Sequence, residues 1–96
     1  MGKTQLNVSL AVTLLHEGDQ FVAYSPALDL STSGDTLEQA KTRFSEAVDI
    51  FLEETTKKGT LPEVLSDLGW QKSNDSWLPP VVIGQSSELV NIPLLV

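Results

Sequence analysis

The chain contains no cysteine and a single histidine, and these scarcities remove several kinds of site. Without cysteine, a disulfide framework, a thiolate metal site and a cysteine nucleophile are excluded. Absence of cysteine also suits a reducing compartment, so we expect the protein to be cytoplasmic. His16 has no second histidine with which to form a metal-binding cluster, and it falls in a predicted turn.

Long apolar runs and basic residues are also scarce. No run approaches the ~20 apolar residues of a membrane-spanning helix, so no membrane association is expected. Lysine and arginine number 6 against 13 aspartates and glutamates, which gives a formal net charge of -7. Because nucleic-acid phosphates attract cations, we expect no direct DNA binding. An acidic surface either serves solubility alone or steers a basic partner toward the protein.

Near its start, the sequence contains a strong alternation of apolar and polar residues. Apolar residues occupy every second position from 6 to 14, which is the period of a half-buried strand. A turn at 16–19 and a second apolar run at 21–24 predict a hairpin. Pro26 has no amide hydrogen and ends the pairing. Renewed alternation over 28–32 predicts a short third strand.

A long amphipathic helix is predicted next. Its N-cap is either Asp35, with Glu38 as capping-box partner, or Thr36, with Gln39 in that role. Apolar side chains then recur at helical spacing, and Gly59 suits the left-handed position after the last turn. The apolar stripe comprises Leu37, Ala40, Phe44, Ala47, Val48, Phe51 and Leu52.

The remaining third of the chain predicts smaller elements. Residues 61–68 have the pattern of a short second helix, and Trp70 and Trp77 flank turn-forming residues typical of a small hairpin. The apolar segment 89–96 contains Pro93, so its composition favours an edge strand. Such a strand can pair with a second copy of the chain, and together with the small size of the domain this predicts a homo-oligomer.

The predicted fold class is therefore α+β. We expect a single domain over residues 1–96, with a core unit over 6–58 and an extension over 60–96. A mainly antiparallel sheet of three or four strands is covered by one long helix, with a short second helix and a C-terminal strand.

Sequence signs of catalysis are few. Ser25, Ser31 and Ser33 lie near predicted strand ends, but none is surrounded by the G-x-S-x-G turn of a nucleophilic serine. Gly34 stands alone rather than in a phosphate-binding loop. We therefore expect no catalytic residue and no cofactor.

Three carboxylates deserve separate consideration. Asp19, Asp29 and Asp35 all fall near predicted strand ends, where three gathered carboxylates can hold Mg²⁺. Each also has an ordinary local role, as a turn residue, a solvent-facing residue or a helix cap. We expect no metal site and keep a metal-dependent nuclease as a remote alternative.

A candidate partner-binding segment lies where the second strand ends. Tyr24 lies two residues before Pro26, where the predicted strand ends, and Leu28 and Asp29 follow. Aromatic and apolar groups in loops often anchor protein partners, and equally often close a small core. These four residues are our predicted partner-binding site.

Two motifs occur in order within residues 6–58: Phe21–Leu28 contains a Y-x-P-x-L segment, and Ser33–Ala40 contains a G-D-T-x-x-E/Q-A helix start. With these motifs in this order, the region resembles the HicB-like antitoxin family. The resemblance implies a β-β-β-α-β arrangement similar to part of ribonuclease H. It further implies that the protein binds and blocks a small basic messenger-RNA-cleaving toxin, and that it forms dimers or tetramers.

The chain departs from the family pattern in two places. Asp29–Thr32 stands where the family often has a Pro-Gly-Cys-like stretch. Many members also carry a C-terminal DNA-binding segment, and residues 60–96 show no such segment, so autorepression is not expected. Our leading hypothesis is a non-enzymatic module that neutralises a basic toxin by occlusion. The alternative is an orphan oligomeric domain of the same fold with another ligand or partner.

Overall fold

The computed structural model describes residues 7–95 and confirms the α+β class. Three antiparallel strands, β1 (Thr13–Glu17), β2 (Gln20–Ser25) and β3 (Leu30–Gly34), form one sheet in the order β1-β2-β3. The β1–β2 turn uses Gly18 at φ 62, a conformation that costs little without a Cβ.

Helix α1 (Leu37–Lys58) covers one face of this sheet. Ala23 on β2 packs against Ala40 and Phe44 on the helix, and all three side chains are buried. Directly paired residues share a face of an antiparallel sheet, so the pairing of Ala23 with Leu14 and Thr32 places those residues on the helix side too.

The start of α1 decides between the two predicted caps in favour of Thr36. Its Oγ1 accepts a hydrogen bond from the Gln39 backbone N at 3.0 Å, while Gln39 Oε1 accepts one from the Asp35 N at 2.7 Å. Gly34 precedes this cap, and a Cβ there would lie 2.8 Å from the Ala40 N, so the close approach of β3 to α1 requires glycine. The helix ends as predicted at Gly59, with φ 70.

A second part of the core lies at the end of the sheet. Helix α2 (Leu61–Asp67) brings Leu65 against Ala27 and Leu28, together with Trp70. The predicted small hairpin also forms, as β4 (Gln71–Ser73) and β5 (Ser76–Leu78), in a sheet of its own.

The first strand differs from its prediction at both ends. Regular pairing starts at Thr13 rather than at 6, and it continues to Glu17 through the predicted turn residue His16. β2 ends at Ser25, so residues 7–11 extend past the end of the strand that pairs with β1, and residues 7–12 carry no regular secondary structure. Leu6 lies outside the described residues.

The predicted C-terminal strand over 89–96 is not formed in its described part. Residues 79–95 carry neither helix nor strand, and Val96 lies outside the described residues. Pro79 and Pro80 end β5, and nothing of the described chain lies beside 89–95 as a pairing partner. The main sheet therefore has three strands within residues 7–95, the lower of the two predicted numbers. No helix in this range is long and apolar enough to cross a membrane.

Candidate functional site: the open face of the sheet

Tyr24 and Asp29 are joined across the connection between β2 and β3. The Tyr24 hydroxyl donates a hydrogen bond to Asp29 Oδ1 at 3.1 Å. Asp29 N donates to the Pro26 carbonyl oxygen at 3.3 Å, which closes a tight turn. Asp29 has φ 49, in the left-handed region that aspartate tolerates better than most residues. The sequence therefore placed these residues near each other correctly, but Leu28 and Asp29 lie in the turn and not in the third strand.

The Asp29 carboxylate alters the chemistry of the phenol. Its hydrogen bond with the Tyr24 hydroxyl raises the pKa of Tyr24 above the ordinary 10.0, and desolvation and the negative charge of Asp29 act in the same direction. The Asp29 carboxylate therefore keeps the Tyr24 phenol neutral to a higher alkaline pH than an isolated phenol.

The four predicted partner-binding residues are not equally accessible. Leu28 is 5% exposed and belongs to the core cluster around Trp70, so its side chain packs in the core rather than on the surface of the turn. Pro26 and Asp29 are exposed, and Tyr24 is half-buried. Three of the four therefore contribute surface, all at one end of β2.

Strand register extends this surface across the sheet. Tyr24 pairs with Thr13 and Ser31, and Val22 pairs with Leu15 and Ser33. These side chains lie on the face opposite to Ala23, hence opposite to α1. No helix of residues 7–95 packs on this side, which we call the open face.

Leu15 and Val22 were missed as candidate site residues. The alternation over 6–14 assigned even-numbered residues to the core, and continuing the same count would have placed Leu15 on the opposite face. Leu15 is 43% exposed, but Leu14 on the helix side is 45% exposed, and Val8 and Val12 are exposed as well, so the predicted burial of these even-numbered residues is wrong. Leu15 fell between the predicted strand, which ended at residue 14, and the predicted turn, which began at residue 16, and was assigned to neither.

The electrostatics of the open face are acidic at both ends. Glu17 pairs with Gln20 at one end of the hairpin and lies on the same face as Leu15, while Asp29 lies at the other end. Every aspartate and glutamate in residues 7–95 is exposed. Within that range one side-chain ion pair is formed, Lys57 with Glu53 at 3.4 Å on α1. The negative charge of the open face is therefore available to a partner.

The three carboxylates of the hypothetical magnesium site are not gathered. Successive connections of an antiparallel sheet lie at opposite ends, which puts Asp29 at one end and Asp19 and Asp35 at the other. Asp35 Oδ1 accepts a hydrogen bond from Gln20 Nε2 at 2.7 Å. No group of three or more histidine, aspartate or glutamate side chains among residues 7–95 is arranged to hold a metal ion.

The remaining residues considered for chemistry have structural surroundings. The His16 ring stacks on Phe21, with centroids 4.6 Å apart and planes 10° apart. Ser25 is fully buried, and its Oγ has no hydrogen-bond partner within the described chain. A serine nucleophile needs a base within hydrogen-bond distance, and none of the described residues supplies one to Ser25.

Comparisons with protein-family models, with curated proteins and with solved structures find no match to this chain.

Proposed function

We propose that this protein is a non-enzymatic binding module whose open face occludes a small basic protein. The observation that carries the proposal is an uncovered sheet face with apolar and aromatic side chains at its centre and carboxylates at both ends. The resemblance of residues 6–58 to HicB-like antitoxins supports a basic RNA-cleaving toxin as that partner, bound in the cytoplasm. Neutralisation by occlusion requires no catalytic residue.

The surface is suited to such a partner in two ways. Tyr24, Val22 and Leu15 give a central patch of the kind that binding hot spots favour, with aromatic and aliphatic groups surrounded by polar ones. Glu17 and Asp29 are positioned to pair with lysine or arginine at the rim. The net charge of -7 accelerates encounter with a cationic protein over a longer range.

A second candidate is an orphan oligomeric domain of the same fold. Its supporting observation is the C-terminal part of the chain, in which large apolar side chains are exposed over residues 81–95. In that case self-association is the main interaction, and the open face serves another ligand.

The test is capture followed by reconstitution. The tagged full chain is incubated with a nuclease-treated lysate of its source organism, and retained proteins are identified by mass spectrometry. We expect a small basic protein, and we expect the purified chain to inhibit RNA cleavage by that protein at equimolar ratio. Glu17→Lys should weaken the complex at least about tenfold, because it places a cation at the rim of the open face.

Glu54→Lys is the matched control. It makes the same change of charge on an exposed position of α1, which packs on the opposite face of the sheet, and should leave binding unchanged. Equal loss with both variants would show a general charge effect and contradict the assigned surface. Recovery of further copies of this chain, with no small basic protein, would favour the orphan domain.

A further inference from the structure

The C-terminal arm, residues 81–95, is rich in large apolar side chains, and most of these are exposed rather than packed on other described residues. Ile83 is 99% exposed, Leu89 104% and Leu95 102%. The molecule measures 64 × 27 × 23 Å, with a radius of gyration of 16.7 Å against about 13 Å for a compact domain of this size. Scattered apolar residues on a surface are ordinary, but an apolar segment exposed over this length is typical of an interaction site. The large exposed side chains are Val81, Val82, Ile83, Leu89, Val90, Ile92, Leu94 and Leu95.

An apolar groove is open elsewhere on the same molecule. It runs between residues 8–14 and the flank of α1, and consists of two adjoining pockets of about 260 Å³ each. β1 borders the groove as an edge strand of the main sheet. Its apolar lining is Val8, Leu10, Val12, Leu14, Phe44 and Val48.

We propose that the C-terminal arm of one protomer docks as an extended strand in this groove of a second copy, and that the exchange is reciprocal. The inference does not rest on the proposed function, because the groove lies on the helix side of the sheet and leaves the open face free. The arm leaves the body of its own chain instead of returning over it, so the groove that it fills belongs to the second copy.

The pattern of the arm fits an added edge strand. Val90, Ile92 and Leu94 alternate and share one side of an extended segment, which suits a groove lined by apolar side chains. Pro93 lies between Ile92 and Leu94, at a position where the backbone N–H of an edge strand points away from the neighbouring strand. The missing hydrogen of Pro93 is therefore compatible with pairing of the even-numbered residues to the free edge of β1.

The area involved is that of a small dimer interface. A fully covered valine, leucine or isoleucine side chain removes roughly 60–120 Å² of apolar surface from water. Val90, Ile92 and Leu94, which share the side that faces the groove, therefore supply roughly 180–360 Å² per arm. Two arms, with a similar area covered on each of the two grooves, bury roughly 700–1,400 Å², a range that includes the ~1,200 Å² at which specific interfaces begin.

Disulfide trapping tests the contact directly, because the chain has no cysteine of its own. A tagged Val12→Cys chain is equilibrated with an untagged Ile92→Cys chain and oxidised. We expect a cross-linked species of twice the 10.4 kDa chain mass that contains both chains. Glu63→Cys on α2, outside the groove, is the matched control and should give little product with Ile92→Cys.

Sedimentation velocity of full-length variants provides the second test. Leu89→Asp, Ile92→Asp and Leu94→Asp combined should convert a dimer to a monomer, and their exposure means that folding of the protomer is not at risk. Gln85→Asp, Ser86→Asp and Ser87→Asp add the same charge and should leave the dimer intact. A wild-type chain that sediments only as a monomer at tens of micromolar would overturn the proposal. Cross-linking within single chains that carry both cysteines, without a dimer, would also overturn it.

Discussion

At the scale of single residues, Asp29 determines the shape of the candidate site. It adopts φ 49, donates its backbone N–H to Pro26 and accepts the Tyr24 hydroxyl. The positive φ needs a residue that tolerates the left-handed region, and the bond from Tyr24 needs a short side chain that carries an acceptor. Aspartate meets both needs, so one residue contributes both to the turn and to the position of the Tyr24 hydroxyl.

The hydrogen bond between Tyr24 and Asp29 has a measurable consequence. Tyr24 is the only tyrosine in the chain, so absorbance at about 295 nm follows its ionisation alone. We expect the wild-type midpoint above the ordinary 10.0, because the hydrogen bond to Asp29 favours the neutral phenol. Asp29→Gly keeps the positive φ without strain and removes the acceptor, so the midpoint should fall toward 10.0.

The same linkage gives the direction of the pH dependence of stability. The pKa of Tyr24 is raised in the folded state, so the contribution to stability is fully present below pH 10.0 and is lost as the pH rises further. Urea unfolding at several alkaline pH values checks this: the wild type should lose stability more steeply above pH 10.0 than Asp29→Gly does. Identical titration midpoints in the two proteins would show that the hydrogen bond is not maintained in solution.

At the scale of elements, features that depend on neighbouring residues, such as the helix cap, were predicted more accurately than the extent of strand pairing. Capping chemistry located the start of α1 to within one residue, since Thr36, Gln39 and Asp35 interact among themselves. The extent of β1 depends on where the opposite strand ends, which alternation alone does not encode. Alternation of apolar residues over 6–14 therefore overestimated the strand, and of its described apolar positions Leu10 is half-buried while Val8, Val12 and Leu14 are exposed.

The candidate site was predicted in part for the same reason. Tyr24, Pro26 and Asp29 are close in sequence, and their proximity follows from the turn. Leu28 is buried because Trp70, more than forty positions away, packs against it. The contact between Leu28 and Trp70 leaves no local signal in the sequence. Leu15 and Val22 join the site through strand register, and continued alternation past residue 14 would have indicated the face on which Leu15 lies.

Trp70 connects the β2–β3 turn to the second half of the chain. Its indole Nε1 donates to the Ala27 carbonyl oxygen at 2.7 Å, and both residues are buried. Trp70→Phe leaves that carbonyl unsatisfied in the core, which should lower the free energy of unfolding by roughly 1–3 kcal/mol. Trp77→Phe is the matched control, because Trp77 is half-buried and makes no comparable bond within residues 7–95. Equal losses in urea unfolding would mean that ring size, rather than the hydrogen bond, sets the effect.

At the scale of the whole molecule, the protein combines a small folded body with an unpacked apolar arm. The buried apolar side chains of the described residues form two modest clusters, one under α1 and one around Trp70. A domain of this size buries a limited fraction of its surface, so additional apolar burial between chains is a large addition to its stability. Reciprocal exchange of the arms supplies that burial while the open face stays accessible to a partner.

Arm exchange therefore predicts a melting temperature that depends on protein concentration, because only folded chains present the groove. A factor of ten in concentration corresponds to roughly 1.4 kcal/mol, and in a dimer this is shared between two chains. A tenfold increase in concentration therefore stabilises each protomer by roughly 0.7 kcal/mol. In a domain of this length that corresponds to a rise of roughly 3–6 °C, which calorimetry resolves across a dilution series. The variant with aspartate at positions 89, 92 and 94 should melt at one temperature throughout the series, and the variant with aspartate at 85, 86 and 87 should follow the wild type. A wild-type melting temperature that stays constant across the series would contradict exchange between chains, since an arm bound within its own chain stabilises it equally at every dilution.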